Sequence, residues 1–231
     1  MRLSDEFRKS LAVKAAAYGL ALLGEDSSAQ AARSYLSGRG LSMADFSNYG
    51  IGLVTDEFDE HRDQAGMICF PYITTLGGVV SLKFRRAHDC TDACSHARFI
   101  SPYETRLYNT KALDRADQLG YVCMVEGEID TQTLEALVGL PGEFPTVGVP
   151  GVETWAKHPE WRELFRGYSK VFVFEDQDDP NPKTGEKAGE RLTRQIVKEI
   201  DTAVLIKLPG KDVNDTYLRF GPKAIRERIN V

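Results

Sequence analysis

The sequence predicts an α+β amino-terminal subdomain, residues 1–117, followed by an α/β subdomain, residues 118–231, with a mostly parallel sheet. Three observations lead there. Helical periodicity dominates the start of the chain. Two β-rich runs then flank a Leu-Gly-Gly turn, the pattern of a hairpin. From about residue 118 apolar strands and amphipathic helices alternate, as they do in a helix-covered parallel sheet.

Residues 3–23 read as a helix, with Leu3, Phe7, Leu11, Tyr18 and Leu22 close to one face. Ser27 or Ser28 is placed to cap a second helix that stops at Gly38 and Gly40. A third short helix follows in LSMADFSNYG. The hairpin is GMICFPYITTLGGVVSLKFRRA; a polar stretch, HDCTDACSHA, and a short strand, RFISP, come next. The boundary falls near residues 112–119, where RADQLG precedes the first buried strand. Beyond it, YVCMVEG is a strand, TQTLEALVGL a helix and PTVGVPG a short strand or loop. HPEWRELFRGYS is a helix, KVFVFED a strand, KAGERLTRQIVKEI a helix and TAVLIKLP a strand, and short helices close the chain. Cys69 and Cys123 lie in apolar strands and read as core. Trp155 and Trp161 read as packing. His61 and His158 sit among polar residues and suggest no role.

The chain has 231 residues and a formal charge of −5, enough for one large or two small domains with a real core. Four cysteines are too few and too oddly placed for a disulfide framework, so a reducing cytoplasm is expected. The start, MRLSDEFRKS, has no apolar signal region, and no segment is long and apolar enough to span a membrane. Charge is unevenly spread. Residues 75–116 hold seven Lys/Arg against four Asp/Glu, whereas residues 121–231 hold fifteen against nineteen. A basic middle beside an acidic half fits a polyanion held next to a divalent cation; two ordinary solvated surfaces are the competing reading.

The acids concentrate at strand ends. The run Val122–Val125 closes in Glu126, Glu128 and Asp130; KVFVFEDQDDPN closes in Glu175, Asp176, Asp178 and Asp179; TAVLIKLP leads to GKDVND with Asp212 and Asp215. In an open parallel sheet ligands sit at the carboxyl ends of the strands, so three segments distant in sequence can deliver carboxylates to one edge. Such a cluster is costly unless a cation neutralises it. Oxygen donors without His or Cys suit Mg²⁺ or Mn²⁺, as a single ion or a pair. Taken singly, each acid could equally be a helix cap or a dipole partner.

These motifs carry a resemblance. Val-Glu-Gly-Glu-Ile-Asp after one strand, Asp-x-Asp after a second and Lys-Asp-x-x-Asp after a third resemble the Toprim domain, over roughly residues 118–217. FPYITTLGGVVSLKFRRA resembles the hairpin of bacterial-type replicative DNA primases, RFISPYETRLYNTKAL their Ser-Pro segment, and SYLSGRGLSMADFSNYGIGLV their helical lead-in to a "GIG" strand. The primase resemblance spans about residues 30–217, and phage-encoded versions are the nearest in character. It implies an α/β Toprim subdomain and template-directed joining of ribonucleoside triphosphates into short RNA primers on single-stranded DNA. It implies a metal site of Glu126, Asp130, Asp176, Asp178, Asp212 and Asp215, with Glu126, Asp176 and Asp178 catalytic. Lys83, Arg85, Arg98 and Lys111 would hold template or nucleotide phosphate. Lys83 and Arg85 share a strand face, as residues i and i+2 do, and Arg86 faces the other way. A host-cell cytoplasm is the implied location.

The departures matter too. DPNPKTGE intervenes between Asp-x-Asp and the Ala-Gly helix start, and Ile100 stands where many cellular primases have Asn. The family's zinc ribbon and helicase part find no match, and no Gly-x-x-x-x-Gly-Lys-Ser/Thr loop occurs. The expectation is either a cut-out catalytic core or a short viral protein that borrows those functions, from a replicative helicase or a separate zinc-binding module as partner. His88, Cys90, Cys94 and His96 have the chemistry for Zn²⁺, but four ligands in nine residues would need a very tight loop. A polar loop with free thiols is the competing reading, and zinc is not an expected cofactor. Two rival functions use the same residues: a Toprim nuclease, and a non-catalytic module that binds single strands or tethers a helicase.

Overall fold

The first helix, α1 (Asp5–Leu22), starts where Ser4 accepts a hydrogen bond from the Phe7 N–H at 3.2 Å and Asp5 and Glu6 sit against the positive end of the helix. It buries Leu11, Tyr18 and Leu22, the face its periodicity predicts. The computed structural model describes residues 3–87, 99–180 and 182–229. Helix α2 (Ser27–Gly38) is capped by Asp26, not by Ser27 or Ser28. One Asp26 oxygen accepts from both Ser28 and Ala29, at 2.9 and 3.0 Å, and the extended backbone a cap requires falls at that residue. Helix α3 (Met43–Tyr49) opens with a reciprocal Ser42–Asp45 capping box and stops at Gly50.

The hairpin forms as expected. Strands β1 (Gly52–Leu53), β2 (Ile68–Ile73), β3 (Val79–Arg85) and β4 (Phe99–Ile100) make an antiparallel sheet in that order. Leu82 and Phe84 point from β3 into a core with Leu11, Tyr18, Cys69 and Val79. His61 corrects the expectation of a polar setting: it is buried. Hydrogen bonds join its two ring nitrogens to the hydroxyls of Tyr18 (2.7 Å) and Tyr103 (2.9 Å). Burial lowers its pKa, which keeps the ring neutral, and pushes the Tyr103 hydroxyl up to about 12.

The compact units divide between Thr105 and Arg106. Residues 106–117, which the sequence reading places before the boundary, contribute Leu107 and Ala116 to the second unit's core, with Leu113 packed against it. Tyr108 also exchanges backbone hydrogen bonds with Gly148 at 2.9 and 3.0 Å. This unit alternates as predicted: α4 (Leu113–Leu119), β5 (Tyr121–Glu126), α5 (Glu128–Leu137), β6 (Thr146–Val149), α6 (Val152–Lys157), β7 (Lys170–Phe174), α7 (Ala188–Glu199), β8 (Ala203–Ile206), α8 (Val213–Phe220) and α9 (Pro222–Arg226). The sheet is parallel, in the order β6-β5-β7-β8. Both faces of β5 and β7 are covered, which is why they read as unbroken apolar runs. Val122, Met124, Val171 and Val173 join one core with Trp155 and Ile196; Cys123, Val125, Phe172 and Phe174 join another with Leu134 and Val213. That split is the period of two.

The segment HPEWRELFRGYS is a 3₁₀ helix, Pro159–Phe165, rather than an α-helix, and α6 precedes it. Proline at its start donates no hydrogen bond, and Arg162 instead bonds the carbonyls of Trp155 and His158 at 2.9 and 2.7 Å. Trp155 is fully buried and its indole N–H donates to Glu199, as packing requires.

Candidate functional site

The parallel sheet places acids at the ends of β5, β7 and β8. Glu126 is the last residue of β5, and Gly127 follows with φ 88° and ψ 177°. Only glycine enters that region readily, so the chain can leave the strand and begin α5 at once. Asp130 therefore lies in the first turn of α5, and Glu128 between them is buried. On the next strand, Asp176 and Asp178 follow β7 and precede α7. Glu126 and Asp176 line one narrow hollow with Gly189, Val149 and Thr193. A Cβ at Gly189 would lie 2.5 Å from the Asp176 carbonyl oxygen, so the Ala-Gly start of α7 is what lets the acidic loop lie against it. Asp178 accepts from the Gly189 N–H at 3.3 Å.

The third strand end is tied to the first. Asp212 caps α8 by accepting from the Asp215 N–H at 2.6 Å. Helix α8 in turn donates its Asn214 N–H to Asp130 at 2.8 Å, and the Asn214 amide reaches Thr133 at 2.9 Å. Asp215 is engaged in structure: it accepts from the Lys211 N–H at 2.9 Å and pairs with Arg219 at 3.1 Å. Glu175 pairs with Lys207 at 3.2 Å, and Asp179 is exposed.

The electrostatics converge on Asp176. Its carboxyl is held well above the usual range by burial first, and then by the charges of Asp130, Glu126, Asp212 and Asp178. Four acids from the three strand ends thus act on the carboxyl of Asp176. Among the described residues no three acidic, His or Cys side chains are already drawn into a closed cation cage. The donor set is nonetheless all oxygen, and the repulsion is of the kind a hard divalent cation relieves, so the residues fit Mg²⁺ or Mn²⁺.

The basic residues fall into two groups. Lys83 and Arg85 lie on one face of β3, opposite the buried Leu82 and Phe84. Lys83 sits 4.9 Å above the Phe99 ring; Arg85 is 5.1 Å from Phe99 and 5.5 Å from Tyr35. Arg39 lies 5.3 Å over the other partner of this cluster, Tyr35. Cations interleaved with aromatic rings make a surface suited to phosphates and bases. Tyr35 and Arg39 were not singled out from sequence, although both belong to the Tyr-Leu…Arg-Gly-Leu segment. Lys111 belongs to the second unit, in a 3₁₀ turn after Asn109. Arg98, and the His88, Cys90, Cys94 and His96 group, lie outside the described residues.

No family model matches the chain. It is 40% identical over 169 residues to the Gene 57 protein of Mycobacterium phage D29, a match covering 71% of this chain and 98% of that protein. Among solved structures it resembles the RNA polymerase domain of Mycobacterium tuberculosis primase DnaG, with TM-score 0.72 and 21% identity over 99% of this chain and 84% of that one. It also resembles a DNA primase domain from Pseudomonas aeruginosa, with TM-score 0.73 and 21% identity over 96% and 77%. A DnaG primase catalytic domain bound to single-stranded DNA aligns with TM-score 0.66 and 19% identity over 97% and 79%. The fold is that of a primase catalytic core.

Proposed function

We propose that this chain, which belongs to the family of that phage Gene 57 protein, is a DNA primase catalytic core making short RNA primers on single-stranded DNA by divalent-metal-dependent nucleotidyl transfer. The observation that carries this reading is the convergence of Glu126, Asp130, Asp178 and Asp212 on the carboxyl of Asp176. A pure binding module gains nothing from such repulsion beside a polyanion.

Glu126, Asp176 and Asp178 would hold the cation, with Asp130 and Asp212 in support. When bound, it supplies activation of the attacking 3′-hydroxyl and neutralisation of the triphosphate. The remaining work is positioning. Gly189 and the amide it offers Asp178 fix the second acidic loop. Asn214 fixes Asp130. Lys83, Arg85 and Arg39, with Phe99 and Tyr35, would hold template phosphates and bases without regard to sequence. Lys111 and Arg98 would add phosphate contacts.

The test is synthesis on single-stranded DNA with labelled ribonucleotides and Mg²⁺ or Mn²⁺. Short oligoribonucleotides are expected. Metal-dependent cleavage of the template without synthesis would mean that the same acids serve a nuclease. If product forms only on a pre-made primer, the core needs a partner to initiate.

A further inference from the structure

We propose that Gln177, the residue between the two acids of Asp176-Gln177-Asp178, is a positioning residue of the cation site. It clamps the loop after β7 to the loop after β8. The inference rests on the reading of the acids as a cation site for nucleotidyl transfer.

Strands β7 and β8 pair in register up to Phe174 opposite Ile206, and the last ladder bond is Glu175 N–H to Ile206 C=O at 3.1 Å. Beyond it the two chains head for different helices, α7 and α8. Gln177 rejoins them. Its backbone N–H donates to the Lys211 carbonyl at 2.6 Å. Its side-chain nitrogen donates to the Leu208 carbonyl at 2.5 Å and to the Gly210 carbonyl at 3.0 Å. A primary amide has two hydrogens on one nitrogen, and here two carbonyls receive them.

The loop that Gln177 grips is fixed in turn. The Gly210 N–H donates to Thr216 at 3.2 Å and the Lys211 N–H to Asp215 at 2.9 Å, both on α8. Gly210 has no room for a side chain, since a Cβ would lie 2.6 Å from the Thr216 hydroxyl. Through α8 the clamp reaches Asp130, which accepts from Asn214. One residue thus connects the strand end that carries Asp176 and Asp178 with the one that carries Asp212, and by way of α8 with the first. The acids on these loops bear like charge, and the clamp would oppose their separation. Among the described residues Gln177 donates only to protein carbonyls, which makes it a positioning rather than a catalytic residue.

Two variants test this. Gln177→Met keeps the length and removes both donors. Gln177→Glu turns the donors into acceptors facing two carbonyls and adds a charge to the cluster. Mn²⁺ uptake is read by loss of the free-ion paramagnetic resonance signal, without template or nucleotide, alongside a thermal melt and primer synthesis. The expected result is a tenfold to hundredfold weaker Mn²⁺ affinity for Gln177→Met, the range seen when groups behind metal ligands are removed. Gln177→Glu should be weaker still, and synthesis by Gln177→Met should recover at high Mn²⁺. Unchanged Mn²⁺ affinity in a cooperatively melting Gln177→Met overturns the proposal, as does a wild-type protein that takes up no Mn²⁺. Should Gln177→Glu fail to fold, Gln177→Met still decides. Weakened Mn²⁺ uptake in a protein that makes no primers supports the clamp and overturns the primase reading alone.

Discussion

The basic face of β3 and the acidic end of the parallel sheet solve opposite electrostatic problems in opposite ways. On β3, Lys83 and Arg85 lie over the rings of Phe99 and Tyr35, which attract them. That surface is stable as it stands. At the sheet end, by contrast, Asp176 is raised by burial and by four neighbouring carboxylates, and backbone and amide hydrogen bonds tie together the loops that carry them. On the function proposed above, the basic face would hold a polyanion as it stands, whereas the acidic end would need a cation to complete it. Repulsion that folding does not need is the stronger mark of function.

The sharpest way to break this comparison is Glu126→Gln. It should lower primer synthesis on the order of a thousandfold, as loss of a group that stabilises transition-state charge does, while the melt stays cooperative. Full activity in a folded variant would remove Glu126 from the chemistry. Arg85→Ala acts on the other region and should act more gently. Template affinity should fall roughly tenfold for all sequences alike, and the slope of log affinity against log salt should flatten by about one. A sequence-dependent loss in a binding titration would mean that Arg85 reads bases rather than phosphate.

Stability sharpens the contrast further. The folded-state pKa of Asp176 lies above its unfolded value. Its protonated form therefore favours the fold at low pH, and that contribution is lost as pH rises through the folded pKa. In divalent-free buffer at neutral pH, Asp176→Asn should be about 1 kcal/mol more stable than the parent, the usual gain when a strained functional residue is neutralised. The gain should vanish at acid pH; a gain that persists there would have some other origin. The smallest effect belongs to Asp179, which is exposed and absent from the charges acting on Asp176. Asp179→Asn should leave both melt and synthesis within about 0.5 kcal/mol of the parent.

Much of this was legible in the sequence because the sequence marks strand ends. An apolar run that stops in acids located Glu126, Asp176 and, by way of α8, Asp212. Period two located Lys83 with Arg85. What escaped depends on partners remote in the chain. His61 is buried because Tyr18 and Tyr103 meet its two nitrogens, and no local pattern announces that. Asp26 displaced the serines as cap because one carboxylate oxygen can take two N–H groups. Gln177 stands at a position the Asp-x-Asp pattern leaves open, so only the carbonyls of residues 208–211 reveal its use. The boundary at Thr105 reflects a bridge between Tyr108 and Gly148, residues whose pairing the strand pattern does not encode.

A divalent cation is proposed to complete the acidic end of the parallel sheet, held by Glu126, Asp176 and Asp178. Calorimetric titration of the protein with Mn²⁺, at neutral and at acid pH, measures this directly. Saturable binding is expected, weakened at acid pH, where the carboxylates are protonated, and lost in Glu126→Gln and Asp176→Asn. Equal binding by the parent and both variants would contradict it.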